Sequence, residues 1–224
     1  MEFTNFNPGL VPNDCDGKSC FLACSQMVFR TKPGLRVPSF DELSAVINRR
    51  SGRYSWEYGM LAYFYENGFE VRFLSLFDLE RFTLEGSFYM HEFFGDEAAQ
   101  DQIENLDMEL AIKSTRKFLE SDGVQKTRKI PQLSDVRDLL SAGFYLVPYV
   151  NQRILQADAG YVAHTIFIYG FSSRGVRIHN PGPPATEGSE IAWDLFDKAW
   201  SSPRPESRIL FAIRPSDTEA GTCP

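Results

Sequence analysis

Apolar residues change their spacing along this chain, and the changes mark out its elements. Cys20, Cys24, Met27 and Val28 recur at helical spacing, so a helix with one buried face is expected from Cys20 to about Arg30. Ser19 is placed to cap it, and Lys32-Pro33-Gly34 closes it. Ser39-x-x-Glu42 has the form of a capping box for a second helix, with Phe40, Leu43, Val46 and Ile47 facing inward. A third helix is expected from about Trp56 to Glu66, ending at Asn67-Gly68. Phe69, Val71 and Phe73 alternate with Glu70 and Arg72, which is a strand pattern. From Asp96 to Glu120 the chain is acidic and near helical period, with a solvated face. Ser134 starts a short helix that Gly143 ends.

The last third reads mostly as strands, at Tyr145–Val150, Val162–Gly170, Val176–Asn180 and Arg208–Ile213. A helix carrying Trp193, Phe196 and Trp200 separates the last two. Pro148 lacks an N–H, so its strand is expected at an edge or a bulge. Helices early and strands late predict an α+β fold, with an N-terminal helical part packed on a C-terminal antiparallel sheet.

Composition narrows the function classes. A chain of 224 residues, 43% hydrophobic and with 19 Phe, can bury a sizeable core. One domain over residues 1–216 is expected, followed by a flexible tail at 217–224. The net charge of −7 comes with no Lys/Arg-rich run, which weighs against nucleic-acid and anionic-membrane partners. No secretory leader or spanning stretch is visible, so a cytoplasmic location is expected. The cysteines at 15, 20, 24 and 223 do not form a disulfide framework, nor do their spacings suit a metal site. No cofactor or metal is implied.

Three residues carry candidate chemistry. Cys20 falls in the first turn of its helix, where unpaired N–H groups and the helix dipole favour a thiolate. The plainer alternative is a small hydrophobe in the core. Far downstream, Val162–Gly170 and Val176–Asn180 fold as a hairpin centred near Ser172, setting His164 opposite Asn180, Ile166 opposite Ile178 and Ile168 opposite Val176. Opposed residues on one face lie about 5 Å apart, within reach of an amide–imidazole hydrogen bond. Here the alternatives are a satisfied core histidine and a turn asparagine before Pro181. His179 points to the other face and reads as surface or rim, and His91 as packing or rim. Aromatic residues in Tyr54–Tyr65 and Tyr145–Tyr149 suit a core or a cleft lining. Nucleophile, base and orienting amide in this chain order suit a papain-type thiol enzyme.

The run Cys20-Phe-Leu-Ala-Cys-Ser-Gln-Met-Val-Phe-Arg resembles the nucleophile helix of the C39-like cysteine peptidases, and most closely their branch named guanylyl-cyclase-domain-containing proteins. Trp56–Val71, the Ser87-Phe-Tyr block, His164–Pro181 and Phe196–Ile213 are also similar, so the likeness covers nearly the whole chain. It implies a papain-like cysteine protease fold with Cys20 as nucleophile, His164 as general base and Asn180 as third member, where many relatives carry Asp. The family places an oxyanion-binding Gln six or seven residues before the nucleophile. Here Asp14 and Asn13 stand there, so Asn13 is the candidate donor beside the Cys20 backbone N–H. Phe21 replaces a frequent Gly and narrows the approach to the thiol. The function expected is acyl transfer by a peptidase or amidase acting on a peptide or a small acyl or amide substrate. The alternatives are transfer to an amine in a small-molecule or peptide biosynthetic pathway, and a non-catalytic binding module retaining the fold. Nothing in the chain would hold the metal–triphosphate of a nucleotide cyclase.

Overall fold

A computed structural model describes residues 2–14 and 17–216. Cys15, Cys223 and the expected tail at 217–224 lie outside the described residues. Along the chain run β1 (Phe3–Thr4), α1 (Cys20–Arg30), α2 (Phe40–Val46), α3 (Tyr58–Glu66), β2 (Phe69–Ser75), α4 (Leu79–Glu85), α5 (Ser87–Phe94), α6 (Asp96–Asn105) and α7 (Met108–Leu119). Then follow β3 (Val124–Arg128), α8 (Leu133–Ser141), β4 (Tyr145–Asn151), α9 (Gln152–Leu155), β5 (Ala163–Thr165), β6 (Phe167–Phe171), β7 (Gly175–Asn180), β8 (Thr186–Ala192), α10 (Trp193–Trp200) and β9 (Ile209–Pro215).

The strands form one mixed sheet ordered β3-β2-β9-β4-β6-β7-β8, with β1 paired to β6 and β5 to β4. This mixture of helices and sheet is an α+β arrangement. The sheet is neither purely C-terminal nor purely antiparallel, as the sequence had led us to expect. β2 comes from the first half of the chain and pairs parallel to β3, while β9 pairs antiparallel to β2 on its other side. A parallel pair needs a long crossover, and α4–α7 provide it. The acidic segment read as one helix is two, α6 and α7, because Leu106 leaves the helical conformation and Asp107 caps α7 through the Leu110 N–H at 3.2 Å.

Helices cover both faces of the sheet, so its strands alternate between two cores. Val71, Phe73, Val147, Phe167, Phe211 and Ile213 join α1–α7 on one side. Leu74, Leu146, Ile168, Leu210 and Ala212 join α8 and α10 on the other. α1 is enclosed almost all round: Phe21 to Ser25 and Met27 to Phe29 are all buried. The expected single buried face is therefore too modest, because the N-terminal loop, α3 and the sheet surround this helix. The capping box on α2 forms as expected, with Glu42 N–H to Ser39 Oγ at 3.2 Å and Ser39 N–H to Glu42 Oε2 at 2.7 Å.

Pro148 does not mark an edge, because β4 lies between β9 and β6. It sits instead where the ladder changes partner. β4 pairs with β6 at Leu146 and then with β5 from Tyr149 to Asn151. A residue without an N–H donates no ladder hydrogen bond; Pro148 keeps its register with Leu210 of β9, and on the other side of β4 the run 162–170 splits into β5 and β6. His164 rides on β5, opposite Val150.

Phe211 is fully buried on β9, its ring centroid 5.8 Å from those of Phe21 and Phe73 and 5.9 Å from that of Tyr149. Phe211→Ala is expected to lower the unfolding free energy by about 3–5 kcal/mol, measured by denaturant titration. A loss below about 1 kcal/mol would mean that these rings are not packed as described.

Candidate active site

The N-terminus of α1 is held by Asn13. Ser19 occupies the cap position, but its side chain makes no capping bond. Asn13 Oδ1 instead accepts from Ser19 N–H at 2.8 Å and from Asp14 N–H at 2.9 Å. Ala23 N–H to Ser19 O, at 2.9 Å, is the first bond of the helical ladder. The N–H groups of Cys20, Phe21 and Leu22 therefore lie in the first turn, where no carbonyl of the helix precedes them. The Cys20 thiol sits at this positive end and is half-buried. Cys24, one turn deeper, is buried with Sγ 3.9 Å from Thr165 Oγ1.

The β6–β7 hairpin brings the other two residues together, though not in the expected register. Its turn is centred on Ser173-Arg174, with Ser172 N–H bonded to Gly175 O at 2.8 Å. An irregularity between Ile168 and Gly170 then shifts the ladder, so Ile168 faces Ile178 and Phe167 faces His179. His164 is therefore not directly opposite Asn180. The net slip is two residues, which does not exchange the two faces of the strand, and the imidazole spans the diagonal. His164 Nε2 lies 2.8 Å from Asn180 Oδ1. That oxygen also accepts from Gly182 N–H at 2.9 Å, so it must be the carbonyl end of the amide. Nε2 must then carry the proton, which leaves Nδ1 for Cys20.

The thiol and the imidazole shift each other's titration. Burial pushes the Cys20 pKa up. The charge and hydrogen bond of His164, with hydrogen bonds from Thr165, outweigh it and bring the pKa down to about 7. Burial likewise lowers that of His164, but the Cys20 charge and the hydrogen bonds its ring donates to Cys20 and Asn180 raise it above the ordinary value. The two shifts favour a thiolate–imidazolium pair near neutral pH. Cys24 is pushed well up by burial and by the nearby Cys20, so it stays a thiol.

A cleft of about 280 Å³, open to solvent, meets the pair. Cys20, His164, Phe21, Tyr54 and Tyr149 help to line it, so aromatic residues from both runs noted in the sequence are present. Phe21 is buried with its ring edge-on to Phe211, which leaves its backbone and part of its side chain at the cleft. Ser55 and Glu57 also line it, and the sequence reading missed both. Their only signal was a serine and a glutamate inside the aromatic run Tyr54-Ser-Trp-Glu-Tyr58. Glu57 is buried, and desolvation raises its pKa to about 8 against a hydrogen bond from Tyr149 and one from its own backbone.

Asn13 stands close by but does other work than expected. Its two amide hydrogens go to Gly17 O and Gly182 O, each at 3.0 Å, so in this geometry none is left for an oxyanion. It ties the loop before α1 to the segment after Asn180. Gly182 serves both asparagines, at a φ of +83° and with backbone atoms of Pro184 and Ala185 in the space a Cβ would need. His179 is not at the surface: it is fully buried, with Nε2 2.6 Å from Asn7 Oδ1, because the N-terminal segment covers it. His91 is at the rim, 3.1 Å from Asp96 Oδ1. Among the described residues no group of three or more His, Cys, Asp or Glu could hold a metal ion, and no helix is long and apolar enough to cross a membrane.

No protein-family model matches this chain, and no curated protein matches it.

Two measurements check these electrostatics. Alkylation of Cys20 by iodoacetamide, followed by mass spectrometry, is expected to rise with pH about a midpoint near 7. His164→Ala moves that midpoint up, because the stabilising charge is lost while burial remains. A wild-type midpoint at about 8.5, as in a free thiol, would contradict the pairing. Glu57 also makes stability pH-dependent. Its folded pKa is raised, so its contribution is full below about pH 4 and is lost as pH rises to about 8, because the unfolded chain releases a proton that the folded one keeps. The difference in melting temperature between Glu57→Gln and wild type should therefore grow in favour of the variant from pH 5 to pH 8. A difference constant with pH would mean that Glu57 is not held protonated.

Proposed function

We propose that this protein is a cysteine-dependent acyl-transfer enzyme, a peptidase or amidase, built on a papain-like fold of the C39-like kind. The observation that carries the reading is the bond from His164 Nε2 to Asn180 Oδ1, 2.8 Å long, on an imidazole whose other nitrogen is left for a thiol at a helix N-terminus. The order Cys20, His164, Asn180 and the C39-like character of Cys20–Arg30 and His164–Pro181 point the same way.

In this reading the Cys20 thiolate attacks the substrate carbonyl, forming a C–S bond while the carbonyl π electrons move to oxygen. The Cys20 N–H and the helix dipole meet the resulting charge. His164 then gives its Nδ1 proton to the departing amine or alkoxide, and the C–N or C–O bond breaks to leave a thioester. Water attacks the thioester carbon as Nδ1 takes up one of its protons, and the C–S bond then breaks, returning the Cys20 thiolate and releasing the acid. Asn180 holds Nε2–H throughout, so only Nδ1 exchanges protons.

A second reading keeps the triad and replaces water by an amine. The test uses small activated esters and short peptide amides. Cys20→Ala should abolish turnover and the trapped thioester, and His164→Ala should lower kcat by about 10²–10⁴. An acyl-enzyme that persists in water and collapses on adding amines would select the second reading. Undiminished turnover by a folded Cys20→Ala protein would overturn both readings, and no turnover or trapped thioester in the folded wild type would leave a binding module.

A further inference from the structure

The cleft beside Cys20 contains polar groups that acyl transfer does not use. Ser55 is 6% exposed, and its buried Oγ has no hydrogen-bond partner among the described residues. Buried hydroxyls are nearly always partnered, so one that lines a cleft is placed for a ligand. Glu57 is 3% exposed and occupies the cap position of α3, yet its side chain makes no capping bond. Its carboxyl is hydrogen-bonded to the Tyr149 hydroxyl instead. The ring of Tyr54 stands at the same cleft.

These groups select among ligands. An anion would sit beside the Glu57 carboxyl and the Cys20 thiolate, while the imidazolium of His164 is already paired with Cys20 and the cleft's lysine, Lys18 Nζ, is bonded to Gly52 O at 3.0 Å and Asn105 Oδ1 at 2.8 Å. An apolar group would leave Ser55 Oγ buried without a partner, at a cost. A primary ammonium has three N–H donors, and the cleft offers three acceptors in Glu57, Ser55 Oγ and the Tyr149 oxygen, with an aromatic face beside them.

We propose that this cleft is a primary-ammonium subsite, in which Glu57, Ser55 and Tyr149 bind a free amino group on the acyl side of the substrate, next to the carbonyl that Cys20 attacks. The inference rests on the acyl-transfer reading and names its substrate class: aminoacyl compounds with an unblocked amine. The amine is bound through three hydrogens, so it has no lone pair and serves recognition rather than as an acyl acceptor. The groups facing Glu57 are Tyr149 from β4, Cys20 from α1 and Tyr58 from its own helix, while His164 from β5 and Lys18 from the loop before α1 share the cleft. Burial holds the empty site's carboxyl protonated to about pH 8, so binding an ammonium near neutral pH expels a proton.

Glycine ethyl ester and ethyl acetate differ by this amine and test it. At pH 7 the wild type is expected to prefer the glycine ester by at least tenfold in kcat/KM. Glu57→Gln and Ser55→Ala should each reduce that ratio, Glu57→Gln by tenfold or more. Calorimetry of glycinamide binding to Cys20→Ala, in two buffers of different ionisation heat, should show close to one proton released at pH 7, and acetamide none. Equal use of the two esters through Cys20 would overturn the subsite and leave the acyl-transfer reading intact. If neither ester reacts, that reading fails, and the calorimetry still decides the subsite: glycinamide binding with no proton release, or no binding, overturns it.

Discussion

The contact between the Cys20 sulfur and the His164 imidazole organises this structure. A thiolate is disfavoured by burial and a buried imidazolium equally so. Each becomes acceptable only beside the other, at a helix end whose dipole adds to the attraction. The contact therefore requires a helix tip and a strand end to meet accurately, and much of the surrounding backbone is arranged for that. Pro148 stays in register with β9 but lies in the gap between the β4–β6 and β4–β5 pairings, where β5 separates and carries His164. Asn180 fixes which ring nitrogen holds the proton, and Gly182 and Asn13 fix Asn180 and the start of α1 to one another.

Behind this contact lies a wall of aromatic rings. Phe21, Tyr58, Phe73, Tyr149 and Phe211 interlock from α1, α3, β2, β4 and β9. The wall gives the site a low-dielectric backing, which opposes either charge alone and strengthens the attraction between the two. The same environment acts on Glu57 without a partner cation and keeps its carboxyl neutral. One apolar wall thus charges one group and discharges another, the difference being whether an opposite charge is within reach.

What the sequence revealed followed burial. α1, the α2 capping box, β2, β4, β7 and β9 are apolar enough to show their period. The meeting of His164 with Asn180 was legible because a two-residue register error preserves strand parity. β3 and β8 were missed for the opposite reason: only Val124 is buried in β3 and none of β8 is, so neighbouring strands and not their own pattern make them strands. α4 and α5 were hidden by apolar residues scattered round short helices. Asn13 was read as a donor, but which carbonyls take its hydrogens depends on Gly17 and Gly182, and no local pattern shows that. His179 looked peripheral because nothing in its strand reveals that the N-terminal segment folds over it. Glu57 and Ser55 were invisible as site residues, since their role depends on burial beside a cysteine distant in sequence.

The central claim is that Cys20 and His164 exist as an ion pair, and nitrogen NMR of the labelled imidazole tests it most directly. The account predicts that at pH 7 His164 carries protons on both nitrogens in the wild type. In Cys20→Ala only the Asn180 hydrogen bond still opposes burial, so the ring should be neutral, with its remaining proton on Nε2. A ring that titrates identically in the two proteins would show that the sulfur and the imidazole do not sense each other, and would contradict the account.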